Sequence, residues 1–213
     1  MIRCGWLARD SAELVDGNVL VRNGNELLFP RLWTRDEYLQ MSEKEWFQAC
    51  KVELIGGEVF EMPAMYDKHL AGITLTADAL TQAFGAGYWV RNQGSLDLSP
   101  HGVVDPDVAV IKGSPRGAGR SIPTTALLVV EVSESTLSTD RTLKCSLYPT
   151  GVIADYWIVN LVQRQLEVFR KPVSDTTQPF GWEYADRMIL DARGFVAPLV
   201  LPQARVAVDE LLP

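Results

Sequence analysis

Cysteine is scarce in this chain. The three present, Cys4, Cys50 and Cys145, are scattered, odd in number and free of CxxC or Cys/His spacing. That pattern excludes a disulfide framework and a cysteine-based zinc site, and it suits reduced thiols in a cytoplasmic protein. Long apolar runs are missing too, since none approaches the roughly 20 residues that span a bilayer. Met1 to Asp10 holds no apolar signal-peptide core, so neither export nor a membrane partner is expected. Positive charge is in deficit: 20 Lys and Arg face 27 Asp and Glu, for a net charge of −7. This argues against broad electrostatic binding to nucleic acid. It does not exclude a nuclease, because carboxylates gathered round a bound cation reverse the local charge. There is no internal repeat and no low-complexity segment.

What is present is a chain of 213 residues, enough for one domain with a real core and a small appended unit. The dipeptides Asp16-Gly17 and Asn23-Gly24 separate short apolar runs, which predicts a three-stranded N-terminal β-meander over residues 1–32, ended by Pro30. Residues 33–213 form the main domain. Thr34-Arg35-Asp36-Glu37 has the form of a capping box and opens a short helix through about Met41. Residues 52–62 read as two strands joined at Gly56-Gly57. Ile73, Ala77, Leu80 and Phe84 recur at helical spacing, so residues 66–84 read as an amphipathic helix with His69 near its start.

Farther along, Tyr88–Val90 and Ser95–Leu98 read as strands around a turn at Asn92–Gly94. Val103–Ile111 reads as a strand interrupted by Asp105-Pro106-Asp107, with Asp107 just inside it. Lys112–Arg120 is a basic loop, and Leu127–Val132 a buried central strand. Ser138–Tyr148 follows as a helix, then a hairpin of Ala154–Asn160 with Gln165–Arg170. The rest reads as short strands and Pro/Gly turns, ending in a helical turn at Val208–Leu212. The fold class is therefore α/β, a mixed sheet with flanking helices.

Within that sheet Glu131 is conspicuous, a carboxylate inside the apolar run Leu127–Val132. Burying a lone carboxylate costs several kcal/mol unless something pairs with it. One reading sets Glu131 at the strand end, half solvated. The other makes it a metal ligand or catalytic acid. Asp107 on a neighbouring strand and Lys144 on the following helix favour the second, because two carboxylates supply hard oxygen ligands for Mg²⁺ or Mn²⁺ beside a fixed positive charge. Hydrolysis of a phosphodiester needs such a set.

These positions also carry a resemblance. Pro106-Asp107, Glu131-Val132-Ser133, Asp140, Lys144, Tyr148, Gly151-Val152 and Tyr156-Trp157-Ile158-Val159 stand in the order and spacing of the Uma-two family of the PD-(D/E)XK nuclease superfamily. Upstream, Thr34–Tyr38, Glu53-Leu54-Ile55, Gly57-Glu58, Met62-Pro63 and His69 continue it, so it spans roughly residues 33–170. The resemblance implies a restriction-endonuclease-like core and Mg²⁺- or Mn²⁺-dependent cleavage of DNA by a homodimer. It implies that Asp107, Glu131 and the main-chain carbonyl of Val132 are metal ligands and that Lys144 is the catalytic lysine. In the superfamily's simplest motif that lysine stands two residues after the acid, where this chain has Ser133, so Lys144 replaces it from the next helix. Glu53 and His69 are implied to line the same site. An alternative stays open, in which the fold is kept for binding or assembly and does not cut.

Overall fold

The computed structural model describes residues 12–15, 18–23, 26–44, 46–47, 50–119 and 121–213. Strands β1 (Ala12–Val15), β2 (Asn18–Asn23) and β3 (Glu26–Pro30) form the expected antiparallel meander as a sheet of their own. Of its turns, Asp16-Gly17 and Gly24 lie outside the described residues, as do Cys4 and Arg120. Helix α1 (Arg35–Glu43) begins at the predicted capping box. The Glu37 N–H donates to Thr34 Oγ1 at 3.3 Å, and the Thr34 N–H donates to Glu37 Oε2 at 2.9 Å. Such a cap contributes about 1 kcal/mol by satisfying donors that the first turn leaves free.

Two sheets make the main body. β4 (Val52–Ile55) turns at Gly56-Gly57 into β5 (Glu58–Glu61), and both glycines have positive φ, 62° and 84°, which strains any other residue. With β7 (Leu96–Asp97) and β8 (Gly102–Val104) they form a four-stranded sheet in the order β5-β4-β8-β7. The second sheet holds β6 (Tyr88–Asn92), β9 (Val108–Lys112), β10 (Leu128–Ser133), β11 (Asp155–Asn160), β12 (Gln165–Ser174) and β13 (Trp182–Asp191). Its order is β13-β12-β11-β10-β9-β6, with β10 and β11 parallel and the other neighbours antiparallel.

Every residue of β10 and β11 is buried, their polar members included, as befits mainly apolar strands covered on both faces. On one face lies helix α2 (Asp67–Phe84), whose Ile73, Ala77, Leu80 and Phe84 pack against Val108, Val110, Leu128, Val130, Val132 and Val159. On the other, Val129, Ala109, Tyr156 and Ile158 pack against Ile55, Leu147 and Tyr148. Successive side chains of a strand alternate faces, so Glu131 shares the second face with Val129. No helix among the described residues is long and apolar enough to cross a membrane.

Several expectations need correction. Val103–Ile111 is two strands in different sheets, β8 and β9, because Asp105-Pro106-Asp107 breaks the ladder and Pro106 has no N–H to donate. Asp107 therefore precedes β9 and does not lie within it. The strands expected on either side of Asn92–Gly94 are present as β6 and β7, and they belong to separate sheets. The C-terminal region contains, beyond its short strands β14 (Phe195–Val196) and β15 (Val206–Ala207), the ten-residue β13 that forms one edge of the large sheet. Its side chains are mostly exposed, so it lacks the apolar alternation that marks a half-buried strand.

Candidate active site

The β9–β10 ladder ends at Val108 opposite Val130. Continued by one residue, the same register brings Asp107 opposite Glu131. The two acids are then tied crosswise through the backbone. The Asp107 N–H donates to Glu131 Oε2 at 3.3 Å, and the Val132 N–H donates to Asp107 Oδ2 at 2.9 Å. On that same oxygen lies His69 Nε2 at 3.3 Å, delivered by the first turn of α2. Glu53 comes from β4 and is 1% exposed; its Oε1 accepts the Asp105 N–H at 3.1 Å.

The lysine arrives from a helical run of unusual build. It passes from α3 (Leu137–Thr139) through a π turn at Asp140–Lys144 into α4 (Cys145–Leu147) and a 3₁₀ turn at Tyr148–Gly151. Asp140, Lys144 and Tyr148 stand at i, i+4 and i+8. In a helix of 3.6 residues per turn each step of four overshoots by about 40°, so such a row drifts by about 80°. The wider π turn between Asp140 and Lys144 offsets that drift. The Tyr156 hydroxyl donates to the Asp140 carbonyl at 3.1 Å, satisfying a buried acceptor in the widened turn.

Lys144 Nζ lies 2.9 Å from Glu131 Oε1, 3.5 Å from Glu53 Oε2 and 3.9 Å from Asp140 Oδ1. The Tyr148 hydroxyl donates to the same Glu131 Oε1. Behind the run, the Arg141 Nε donates to Glu167 Oε2 at 3.0 Å, which fastens the π turn to β12.

Burial dominates the electrostatics. It pushes the Glu131 carboxyl up, against the pull of Lys144 and with Asp107, Asp140 and Glu53 adding to it, to about 8. Asp140 is likewise raised, chiefly by burial. Burial also acts to raise Asp107, but His69, the Val132 N–H and Lys144 outweigh it and hold that carboxyl below the usual range. For Lys144 burial acts downward, yet Glu131, Glu53 and Asp140 keep its ammonium protonated well above the ordinary lysine range. Tyr148 is pushed up by burial and by Glu131, so it stays a donor.

The structure thus brings Glu53, His69, Asp107, Glu131 and Lys144 to the wall of one cavity of about 50 Å³, room for an ion or for a water. Val132 is not in that wall through its side chain, which packs on the α2 face. Asp140 also lines the cavity and Tyr148 reaches Glu131 from behind; sequence reasoning gave neither a role. Their spacing with Lys144 was the available signal.

Among the described residues, no three His, Cys, Asp or Glu side chains converge in a ready-made metal geometry. The acids instead surround Lys144. The donor chemistry nonetheless suits a hard divalent cation: the groups are carboxylate oxygens, and the buried Glu53 Oε2 has no hydrogen-bond partner.

Residues 35–204 match the family Uma2, described as "Putative restriction endonuclease". A crystal structure described as "a putative nuclease belonging to DUF820 from Anabaena variabilis ATCC 29413" superposes with a TM-score of 0.62 at 15% identity, covering 84% of this chain and 96% of that one. The two chains share their fold, in keeping with the restriction-endonuclease-like core expected from the sequence. No curated protein matches the chain.

Proposed function

The chain belongs to the Uma2 family, and we propose on that premise that it hydrolyses DNA phosphodiester bonds with Mg²⁺ or Mn²⁺ at the Asp107–Glu131–Lys144 site. The observation that carries this reading is the crosswise tie between Asp107 and Glu131 with Lys144 Nζ 2.9 Å from Glu131. Two buried carboxylates and an ammonium cost several kcal/mol to assemble away from water, a cost that chemistry explains better than packing.

Asp107, Glu131 and the Val132 carbonyl would hold the cation, with Glu53 Oε2 as a further donor. The N–H and C=O of one strand residue point to the same side. The Val132 N–H points at Asp107, and the next carbonyl, that of Ser133, accepts the Leu161 N–H on the β11 side, so the Val132 carbonyl heads toward Asp107. A divalent cation held there would supply an activated water and would neutralise charge on the phosphate. Lys144 orients the water or offsets the charge of the pentavalent state. Tyr148 fixes the Glu131 carboxylate from behind, and His69 does the same for Asp107.

The net charge of −7 favours a second reading, a fold kept for binding or assembly. One assay separates the two. Supercoiled, linear duplex, branched and single-stranded DNA are incubated with Mg²⁺ or Mn²⁺ and either the wild-type chain or Asp107→Ala. The expected result is cleavage by the wild type alone. Intact substrates throughout, or equal cleavage by both, would end the proposal.

A further inference from the structure

Lys144 has more carboxylates around it than one ammonium needs. Its Nζ stands 2.9 Å from Glu131 Oε1 and 3.5 Å from Glu53 Oε2, an oxygen with no hydrogen bond of its own. A third acid, Asp140, waits at 3.9 Å. The proposed hydrolysis gives Asp140 no task, although it is 1% exposed and carefully seated. The Thr136 hydroxyl donates to its Oδ2 at 2.7 Å, which leaves Oδ1 toward Lys144.

A divalent cation drawing on Glu131 and Glu53 needs the oxygens that the ammonium now occupies. Two cations within a few ångströms in a buried site repel strongly. One must yield. The lysine sits on a flexible four-carbon stem, so its ammonium can shift by an ångström or two without moving the helix. The carboxylate on its own helical run is the one left to receive it.

We propose that Lys144 and a divalent cation are alternative counter-ions of the Glu53–Glu131 pair, and that Asp140 is the seat to which Lys144 withdraws when the cation binds. This rests on the metal reading given above. It makes Asp140 a positioning residue, acting through Lys144. It also accounts for acids that surround an ammonium in place of an open ligand set: the lysine balances their charge until a metal does.

Calorimetry with Mn²⁺ alone, at one fixed pH, tests this on the full chain and three variants. Lys144→Met removes the competitor and should bind Mn²⁺ more tightly, by roughly 5- to 150-fold, the usual span of coupling between two sites. Asp140→Asn removes the retreat and should bind Mn²⁺ more weakly by a factor in the same range. The double variant should match Lys144→Met, because without the lysine Asp140 has nothing to receive. Lys144→Met binding no tighter than the wild type overturns the exchange. So does an Asp140→Asn penalty that persists without the lysine, which would make Asp140 a ligand. No Mn²⁺ heat from any of the four removes the metal reading itself, and the exchange with it.

Melting with and without Mn²⁺ accompanies each titration, with Lys144→Gln as a second variant should the methionine not fold. A lysine-free chain that melts early alone and regains its stability with Mn²⁺ supports the exchange. One that Mn²⁺ does not restore counts against it.

Discussion

Asp107 Oδ2 accepts the Val132 N–H at 2.9 Å, so the carboxylate that precedes β9 takes the place of the ladder partner that β10 has lost. A single side chain therefore caps a buried strand edge and faces the cavity. Asp107→Ala is expected to silence both Mn²⁺ binding and DNA cleavage and to lower stability by about 1–3 kcal/mol, the cost of an orphaned buried donor. Calorimetry and urea melts measure the two effects. Unchanged Mn²⁺ heat in the variant would remove Asp107 from the ligand set.

Lys144→Ala should abolish cleavage with the fold retained, because the ammonium is the one cationic side chain found within 4 Å of Glu131 among the described residues. A loss of about 10²- to 10³-fold in rate is the scale for removing one charge-stabilising group. Circular dichroism checks the fold and a timed nicking assay the rate. Wild-type rates in a folded Lys144→Ala chain would mean that the lysine is not catalytic.

Gly72 of α2 lies directly over Val132, and a Cβ built on it would stand 2.8 Å from Val132 Cγ1. Gly72→Ala should therefore push the strand that carries Glu131, costing about 1–3 kcal/mol as overpacking does. Thermal melting gives the first number. Activity should fall together with stability, which a remote core substitution need not do. A variant as stable and as active as the wild type would show that the helix can shift freely.

Glu167 supplies a pH test away from the cavity. Burial acts to raise its carboxyl, but hydrogen bonds from Arg141, Asn160 and Arg187 outweigh it and hold the group at about 2, against 4.5 ordinarily. The folded chain thus keeps it ionised at acidities where the unfolded chain binds the proton. The resulting stability is complete above about pH 4.5 and drains away as the pH falls toward 2. Melts between pH 7 and pH 3 should show a steeper acid loss for the wild type than for Glu167→Gln. Parallel profiles would contradict the assignment.

Cutting both strands of a duplex calls for two sites, and we infer a homodimer. Light scattering at micromolar concentration should return twice the 23.7 kDa chain mass. A monomer would leave single-strand nicking as the expected activity.

Local chemistry made much of this fold legible. The Thr34–Glu37 capping box and the Ile73–Phe84 stripe announce α1 and α2 because caps and 3.6-residue periodicity are decided within a few residues. Glu131 drew notice for a similar reason, as a charge in an apolar run. What could not be read was partnership. Nothing in Val103–Ile111 says that its halves pair in different sheets, and β13 hides its strand character because its outward side chains are polar. Asp140 and Tyr148 carry part of the family resemblance, but their place beside Lys144 is hidden because the helix that aligns the three is not a regular one, and a 3.6-residue wheel spreads them apart.

Glu131, Ile158 and Glu167 lie side by side in register across β10, β11 and β12, and the run 137–151 bears on both ends of that row, Lys144 at Glu131 and Arg141 at Glu167. The angle between those two grips matters as much as their identity. In an ordinary α-helix, residues three apart stand about 60° apart round the axis. The wider turn at Asp140–Lys144 opens that angle, so Arg141 can reach Glu167 while Lys144 faces Glu131 two strands away. Straightened into a regular α-helix, the same residues would point more nearly one way, and one grip would hold at the expense of the other.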